Sequence, residues 1–334
     1  MPSDARTRDA IGPRSRPSGP HFPRQASESD TEIVQKRRLL LIGAVVALMV
    51  VALTIAFLLG AFTRFVEAPS PVAGNEAPVI ADPPLARIAV AGDTGTGGAS
   101  ERATAEQMTR RANRNGPYDA LLLLGDLVYE DGDAELVDEA VTQPFADLLN
   151  NGTTLVPVLG NHDYRSDEQA DIMAALGHER SWYVQRIGPV RIIVLDTERT
   201  EDPQQTQWLR KTLATRVEPG TWTIVATHRP AYSAGQHGSD ENVQAQWAPL
   251  FAEYHVPLVI SGHDHDYQRS KPIDGVTYLV SGAGAKARPT GHADFTAVSA
   301  STLHYLDILV YKQRILVRAI DQSGALVDTF TISH

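Results

Sequence analysis

Five short polar clusters carry the residue types that could do chemistry in this chain. Each cluster follows a short apolar run, and most contain glycine, which lets the backbone turn sharply where a strand ends. The clusters are residues 92–95 (Gly-Asp-Thr-Gly), 125–129 (Gly-Asp-Leu-Val-Tyr), 160–163 (Gly-Asn-His-Asp), 227–230 (Thr-His-Arg-Pro) and 262–265 (Gly-His-Asp-His). Because α/β sheets gather ligand-binding groups beyond the carboxyl ends of their strands, we predict that the clusters form one site.

The clusters together offer oxygen and nitrogen donors, which include two Asp, a Tyr, an Asn and three His. Each cluster taken alone is more simply a turn or a structural histidine, but their recurrence at one structural location favours a metal site. The chain has no Cys, which excludes zinc-thiolate sites, thiol nucleophiles and disulfides. Donors of this kind suit hard or borderline metal ions.

The apolar runs before the clusters have the length of buried strands, and helical patterns separate them. The predicted strands are residues 88–91, 120–124, 154–159, 191–195, 222–226 and 257–260. Ala105, Met108 and Ala112 share one helical face. A second face comprises Val243, Trp247, Leu250, Phe251 and Tyr254. Residues 304–332 suggest two or three antiparallel strands joined by turns such as Gln-Ser-Gly at 322–324. The pattern predicts an α/β domain over residues 86–334.

The N-terminal quarter of the chain has a different composition. Residues 39–62 form an apolar run long enough to cross a bilayer, too long for a signal peptide and too uniformly apolar for a core helix. We predict a transmembrane helix there, after a disordered tail (residues 1–38) and before a Pro-rich linker (residues 63–85). Lys36, Arg37 and Arg38 precede the run, which places the N-terminus in the cytoplasm and the domain in the periplasm or outside the cell.

Charge is distributed unevenly along the chain. The net charge is −10, but residues 1–38 hold eight Lys or Arg and five Asp or Glu, so the tail carries +3 and the remainder −13. An acidic domain is a poor general nucleic-acid binder, and no nucleic-acid partner is expected. A local group of cations can still hold an anionic substrate. The oligomeric state has no signal in the sequence.

The clusters resemble those of the calcineurin-like metallophosphoesterase superfamily and, within it, the purple acid phosphatases, including the small tartrate-resistant type. The resemblance extends over residues 88–286. It includes three further segments, at 205–214, 228–238 and 278–284. The resemblance implies a four-layer αββα sandwich of two mixed β-sheets flanked by helices, preceded here by the transmembrane helix.

One position separates the purple acid branch from its relatives. Most of the superfamily has Asp-x-His in the first cluster, whereas residues 93–95 here are Asp-Thr-Gly. The purple acid branch supplies a Tyr from Gly-Asp-x-x-Tyr instead, which Tyr129 matches, and a phenolate suits ferric iron. Leu127 and Val128 depart from the residue types more frequent in that motif.

Carried over position by position, the resemblance implies two metal ions. Asp93, Tyr129 and His265 would hold the first, expected to be Fe³⁺. Asp126 would bridge both ions. Asn161, His228 and His263 would hold the second, expected to be Fe²⁺, Zn²⁺ or Mn²⁺. His162 and His237 would face the substrate without binding metal, and His162 would donate a hydrogen bond to phosphate or protonate the leaving oxygen.

The expected function is hydrolysis of phosphate monoesters, as in acid phosphatases, by attack of a metal-bound hydroxide. Phosphodiester hydrolysis at the same site and a non-catalytic binding or sensing domain remain alternatives. The Asp-Thr-Gly triplet at 93–95 also occurs in aspartic proteases, which need a second copy that residues 196–198 (Asp-Thr-Glu) do not supply. Glycines at 92–98 lack the Gly-Lys-Ser/Thr of a nucleotide-binding P-loop.

Overall fold

The computed structural model describes residues 82–333, which form two β-sheets with helices. The predicted tail, the membrane segment at 39–62 and most of the linker lie outside the described residues. Within residues 82–333, none of the helices has the length and apolar character needed to span a bilayer.

Thirteen strands are present in the described part of the chain. They are β1 (Ala86–Ala91), β2 (Ala120–Leu124), β3 (Thr154–Val158), β4 (Tyr183–Ile187), β5 (Val190–Val194), β6 (Trp222–Ala226), β7 (Leu258–Ser261), β8 (Tyr267–Ser270), β9 (Thr277–Ser281), β10 (Thr296–Ala300), β11 (His304–Val310), β12 (Arg314–Asp321) and β13 (Leu326–Ser333). All six predicted strands are confirmed, as β1, β2, β3, β5, β6 and β7. The antiparallel strands predicted at the end of the chain are β11 to β13.

Both sheets are mixed, as predicted. The first has six strands in the order β13-β12-β11-β1-β2-β3, and the second has seven in the order β10-β8-β9-β7-β6-β5-β4. In the first sheet, β1, β2 and β3 run parallel. In the second, β5, β6, β7 and β9 run parallel. The carboxyl ends of each parallel set therefore lie at one edge of their sheet.

The α-helices are α1 (Ala99–Asn115), α2 (Ala146–Leu149), α3 (Gln169–Ala175), α4 (Pro203–Ala214), α5 (Glu241–Gln246) and α6 (Ala248–Glu253). Local sequence explains where α4 begins: Asp202 accepts a hydrogen bond from the N–H of Gln204, and proline occupies the first turn. The helical face predicted over 243–254 is divided between α5 and α6. Pro249 accounts for the break, since it lacks the N–H of a continuous helix.

Three apolar clusters define the layers of the domain. One lies between the two sheets and includes Ile88 and Val90 of β1 with Ile224 of β6. The alternate residues of β1 belong to a second cluster with Met108 of α1. A third cluster joins the second sheet to α4, α5 and α6. Helices thus pack on the outer faces of both sheets, because each strand presents apolar side chains on its two sides.

Candidate metal centre

The polar clusters lie beyond the carboxyl ends of parallel strands from both sheets. Asp93 follows β1 and Asp126 follows β2, whereas His228 follows β6 and His263 follows β7. Backbone contacts join the two sheets at this edge. The N–H of His263 donates to Asp93 Oδ2 at 2.9 Å, and the N–H of Gly284 donates to the carbonyl of Gly92 at 3.0 Å. Residues about 170 positions apart are thereby brought into contact.

Asp93, Tyr129 and His265 form the first half of the centre. The Tyr129 hydroxyl lies 3.4 Å from Asp93 Oδ1 and 3.2 Å from His265 Nε2. His265 Nε2 is also 3.3 Å from Asp93 Oδ1. These three atoms come from three separate loops and point to one position.

Asn161, His228 and His263 form the second half. His228 Nε2 lies 3.1 Å from Asn161 Oδ1 and 3.2 Å from His263 Nδ1. The other ring nitrogen of His228 contacts the Leu124 carbonyl at 2.8 Å, which leaves Nε2 directed into the group. A backbone contact of this kind orients a histidine for metal binding.

The Asp126 carboxylate lies between the two halves. Its Oδ2 accepts a hydrogen bond from Tyr129 at 2.9 Å, and its Oδ1 is 3.4 Å from His228 Nε2. Ligand atoms of Asp93, Asp126 and His228 lie within 4.8 Å of one another. All seven residues predicted as metal ligands therefore converge, in two groups of three that share Asp126.

Glycine and unusual backbone conformations permit this close approach. A Cβ on Gly160 would lie 2.2 Å from the Asp126 nitrogen, and one on Gly125 would lie 2.4 Å from His228 Nδ1. Asp93, Asp126 and His263 themselves have positive φ angles of 57°, 51° and 69°. Left-handed conformations are costly for residues other than glycine and are frequent at functional sites, where the surrounding structure holds them in place.

Burial determines the charge state of the centre. Burial, opposed by His228 and reinforced by Asp126, raises the pKa of Asp93. Burial opposes ionisation of Asp126 as well, but His228 and the amide of His162 hold the pKa of that carboxyl below its ordinary value. Burial lowers the pKa of His263 and brings that of His265 to about 4. These two imidazoles are neutral at pH 7, the form in which histidine binds metal.

Protein cations do not balance these carboxylates. Within residues 82–333, neither Asp93 nor Asp126 forms an ion pair with a Lys or Arg side chain. Both residues are almost fully buried, and buried charges need a partner. Two carboxylates, a phenol, an amide oxygen and three imidazoles match the donor chemistry of hard or borderline metal ions.

His162 and His237, predicted to face the substrate, lie beside the two groups of candidate ligands. The His162 ring is 4.5 Å from the Tyr129 ring, and its Nε2 is 4.0 Å from Asp126 Oδ2. His162 Nδ1 contacts the Glu130 carbonyl at 2.6 Å. The His237 ring lies 4.5 Å from the His263 ring.

Four cations that sequence reasoning did not single out lie next to the rings of the site. Arg165 Nη2 lies 3.0 Å from His162 Nε2, and Arg288 Nη1 lies 2.7 Å from His237 Nε2. Arg229 Nη1 is 3.4 Å from His263 Nε2. The fourth cation is Lys286, whose Nζ is 3.6 Å from the centre of the Tyr129 ring. Arg229 lies in the fourth cluster and Arg165 two residues after the third, so their positions could have suggested them, whereas Lys286 and Arg288 reach the site only through the fold.

Two acids inside the motifs support the ligand loops. Asp163 is buried and accepts hydrogen bonds from the N–H groups of Gly160, Leu127 and Val128. It therefore ties the second cluster to the third. Asp264 accepts from the N–H groups of His237 and Gly238, which holds the His237 loop against the fifth cluster.

Comparison with known proteins agrees with this geometry. The sequence profile of the calcineurin-like phosphoesterase family matches residues 86–267, more than half of the chain. The chain belongs to the calcineurin-like phosphoesterase family. It is therefore a phosphoric ester hydrolase of a family that uses two metal ions, and the convergent donors provide a candidate site for them.

Purple acid phosphatases are among the relatives of this phosphoesterase. Human tartrate-resistant acid phosphatase type 5 is 30% identical over 221 residues, which cover 56% of this chain and 67% of the human protein. Purple acid phosphatase 3 of Arabidopsis thaliana is 25% identical over 247 residues, 65% of this chain and 68% of that protein. The structure of the Plasmodium inner-membrane-complex anchor GAP50 has the same fold, with a TM-score of 0.65, 15% identity and coverage of 74% of this chain and 88% of that chain.

Proposed function

We propose that the phosphoesterase is a membrane-anchored acid phosphatase that hydrolyses phosphate monoesters at a dinuclear metal centre. One observation carries the proposal: seven oxygen and nitrogen donors from both sheets form two groups of three with the Asp126 carboxylate between them. Similarity to the human and Arabidopsis acid phosphatases supports the monoester preference.

Each half of the centre would hold one metal ion. Asp93, Tyr129 and His265 would bind the first ion, Asn161, His228 and His263 the second, and Asp126 both, since its two oxygens face opposite halves. Two bound metal ions would supply positive charge against the phosphoryl group and a water molecule of lowered pKa. The phenol of Tyr129 makes Fe³⁺ the proposed first ion, with Fe²⁺, Zn²⁺ or Mn²⁺ as the second.

The remaining groups of the site would bind and orient the phosphoryl group. His162 and Arg165 converge on one position beside Asp126, where they would donate hydrogen bonds to phosphoryl oxygens, and His162 is the proposed proton donor to the leaving oxygen. His237 contacts Arg288 and lies against the His263 ring. Arg229, beside His263, is held by Glu198 at 2.6 Å. These cations favour an anionic substrate although the whole chain has a net charge of −10.

Hydrolysis of model esters tests the proposal. The full-length protein, purified in detergent, should release p-nitrophenol from p-nitrophenyl phosphate with a kcat/KM at least tenfold above that for bis(p-nitrophenyl) phosphate. A reversed preference would indicate a phosphodiesterase. Bound metal without turnover of either ester would instead indicate a binding module, and it would overturn the proposed function.

Metal analysis tests the identity of the ions. We expect two metal ions per chain and a broad visible absorption band from ferric tyrosinate at Tyr129. A colourless active protein that contains zinc or manganese would rule out iron at the first position while leaving the dinuclear centre intact.

The membrane part of the proposal rests on the apolar run at 39–62 and the three cations at 36–38. It predicts that the protein remains with membranes after a high-salt wash. A protease added outside intact cells, or to spheroplasts if the host has an outer membrane, should remove the catalytic domain while leaving an epitope at residue 1 intact. Release by salt, or protection of the domain, would contradict the proposed topology.

A further inference from the structure

His237, which is expected to face the substrate, lies on a loop of residues 233–239 between β6 and α5. Backbone N–H groups need acceptors, and a loop without helix or strand must find them in other segments. Asp264 accepts from the N–H groups of His237 at 2.7 Å and of Gly238 at 3.2 Å. Gln268 Oε1 accepts from a third N–H group of the loop at 2.8 Å. The loop is thereby attached to the segment that follows β7.

Asp264 contacts the loop through each of its carboxylate oxygens. Its Oδ1 accepts from His237. Its Oδ2 accepts from Gly238 and from the Ser233 hydroxyl, which lies 2.5 Å away. Asp264 is only 1% exposed, and a buried acceptor that loses its donors is unfavourable. The carboxylate and the loop therefore fix each other's position.

The loop passes closest to this carboxylate at Gly235. A Cβ at that position would lie 2.4 Å from Asp264 Cγ, which is nearer than non-bonded atoms approach. The Gly235 N–H donates to the Ser233 hydroxyl at 2.9 Å, and this hydroxyl is the one that donates to Asp264. Because there is no space for a side chain at Gly235, the position of the loop depends on this close contact.

The segment that holds the loop also carries two of the predicted metal ligands. Asp264 lies between His263 and His265 in the sequence. The His237 ring lies 4.5 Å from the His263 ring, and its Nε2 is 2.7 Å from Arg288 Nη1. The N–H of Arg288 donates to the His265 carbonyl at 2.8 Å. Both the backbone and the ring of His237 are thus held by the fifth cluster or by a residue bound to it.

We propose that Asp264 is a positioning residue, which holds His237 at a fixed place relative to the metal ligands His263 and His265. Asp264 itself would touch neither substrate nor metal. This role rests on the proposed function and deepens it, since His237 would face the substrate of the same site. A displacement of about 1 Å in such a site can lower the rate about a hundredfold. Loss of the Asp264 contacts should therefore slow the reaction without removing any metal ligand.

Asp264→Asn tests this role with little change in size. An amide has a single acceptor oxygen, so the N–H of His237 or that of Gly238 loses its acceptor. In the full-length protein we expect kcat/KM for p-nitrophenyl phosphate to fall roughly thirtyfold while the metal content stays the same. Hydrogen exchange of the two amides should become faster, which measures the loosened loop without substrate. Unchanged exchange together with unchanged turnover would overturn the proposal.

A double-mutant cycle distinguishes positioning of His237 from a general structural role. His237→Ala should lower kcat/KM about a hundredfold. Adding Asp264→Asn to His237→Ala should lower it by no more than about threefold further, because the group that Asp264 positions is already absent. Losses that multiply in full would show that Asp264 does not act through His237, and they would contradict the proposal.

A second variant and a control use neighbouring positions. Gly235→Ala places a methyl group against the Asp264 carboxylate and should reproduce both the lower rate and the lack of additivity with His237→Ala. Asp266→Asn is the control, since Asp266 is also 1% exposed but accepts from Gln268 Nε2 at 3.0 Å. Any effect of Asp266→Asn on kcat/KM should multiply with that of His237→Ala.

Binding of inorganic phosphate separates failure of this role from failure of the proposed function. Calorimetry of the metal-loaded full-length protein should show an affinity about tenfold weaker in Asp264→Asn and in His237→Ala, and no further loss in the double variant. If this pattern occurs although no ester is hydrolysed, the positioning role stands and the phosphatase proposal fails. If p-nitrophenyl phosphate is hydrolysed but the losses in rate and affinity multiply, the phosphatase proposal stands and the positioning role fails.

Discussion

Two groups of buried carboxylates in this protein differ in what balances their negative charge. Asp307, on β11, is fully buried and pairs with Arg87 at 3.1 Å and with Arg111 at 2.9 Å. Asp93 and Asp126 are buried to a similar extent, yet their neighbours are a phenol and imidazoles. The protein supplies the countercharge for Asp307 but not for the pair at the sheet edge.

Because of this difference, we interpret the Asp307 cluster as structural and the cluster of Asp93 and Asp126 as a metal-binding one. A buried carboxylate without a cation destabilises the fold unless it is protonated or acquires a cation from solution. The donors around Asp93 and Asp126 are of the kinds that bind metal ions, and those around Asp307 are guanidinium groups that repel them. Substitutions in the two clusters should therefore have different consequences.

The largest effect is expected at Asp126. Asp126→Ala removes the carboxylate shared by both halves of the centre and should lower kcat/KM for p-nitrophenyl phosphate roughly a thousandfold, with loss of bound metal. Elemental analysis of the purified variant, together with its rate, measures both effects. Full metal content and full activity in this variant would refute the ligand assignment.

Asp307→Asn should lower the stability of the protein without changing its metal content. It leaves Arg87, only 3% exposed, without its countercharge, and we expect a loss of about 3 kcal/mol in the free energy of unfolding. The metal content of the folded protein should not change. Urea unfolding tests the prediction, with Arg318→Gln as the control. Arg318 is 3.9 Å from Asp307 and 23% exposed, so its removal should cost less than about 1 kcal/mol.

Tyr129→Phe tests the phenol in the metal cluster. The variant should lose the visible absorption band if iron is bound and should retain at least one metal ion, with kcat/KM lowered about tenfold. The control is the visible spectrum of Tyr278→Phe, a variant that removes a buried phenol outside the centre. An unchanged band in Tyr129→Phe would assign the colour to another group.

Glu101 is a third kind of buried carboxylate, with neither a paired guanidinium nor a place in the metal centre. Its Oε2 accepts hydrogen bonds from the N–H groups of Thr96 and Gly97, and burial raises its pKa from 4.5 to about 8. Because the folded state favours the protonated form of Glu101, the free energy of unfolding of the protein should fall as pH rises from about 4.5 through 8.

Glu101→Gln removes this titration. Relative to the unaltered protein, the variant should gain on the order of 4 kcal/mol of unfolding free energy between pH 5 and pH 9, about 1.4 kcal/mol for each pH unit in which only the unfolded state is ionised. Denaturant unfolding at the two pH values measures the difference. Parallel pH profiles for the two proteins would show that Glu101 does not ionise across this range.

The local sequence marks where the candidate donors lie, because each of them is within five residues of a strand end. A buried strand needs an apolar run and a sharp turn needs glycine, so the local sequence marks both features. The same dependence on local sequence patterns explains why one strand was not predicted. β4 (Tyr183–Ile187) is largely half-buried, and its sequence shows neither a continuous apolar run nor a regular alternation.

The sequence by itself determined the family, the donor types and their order along the chain. Only the tertiary structure decided that the amide of His263 would bind Asp93, that Arg288 would lie against His237, and that Trp182 and Arg199 would border one cavity. These contacts join segments that are distant in sequence or lie in irregular loops. They arise from the packing of two sheets rather than from local conformational preference, and no periodic pattern marks them beforehand.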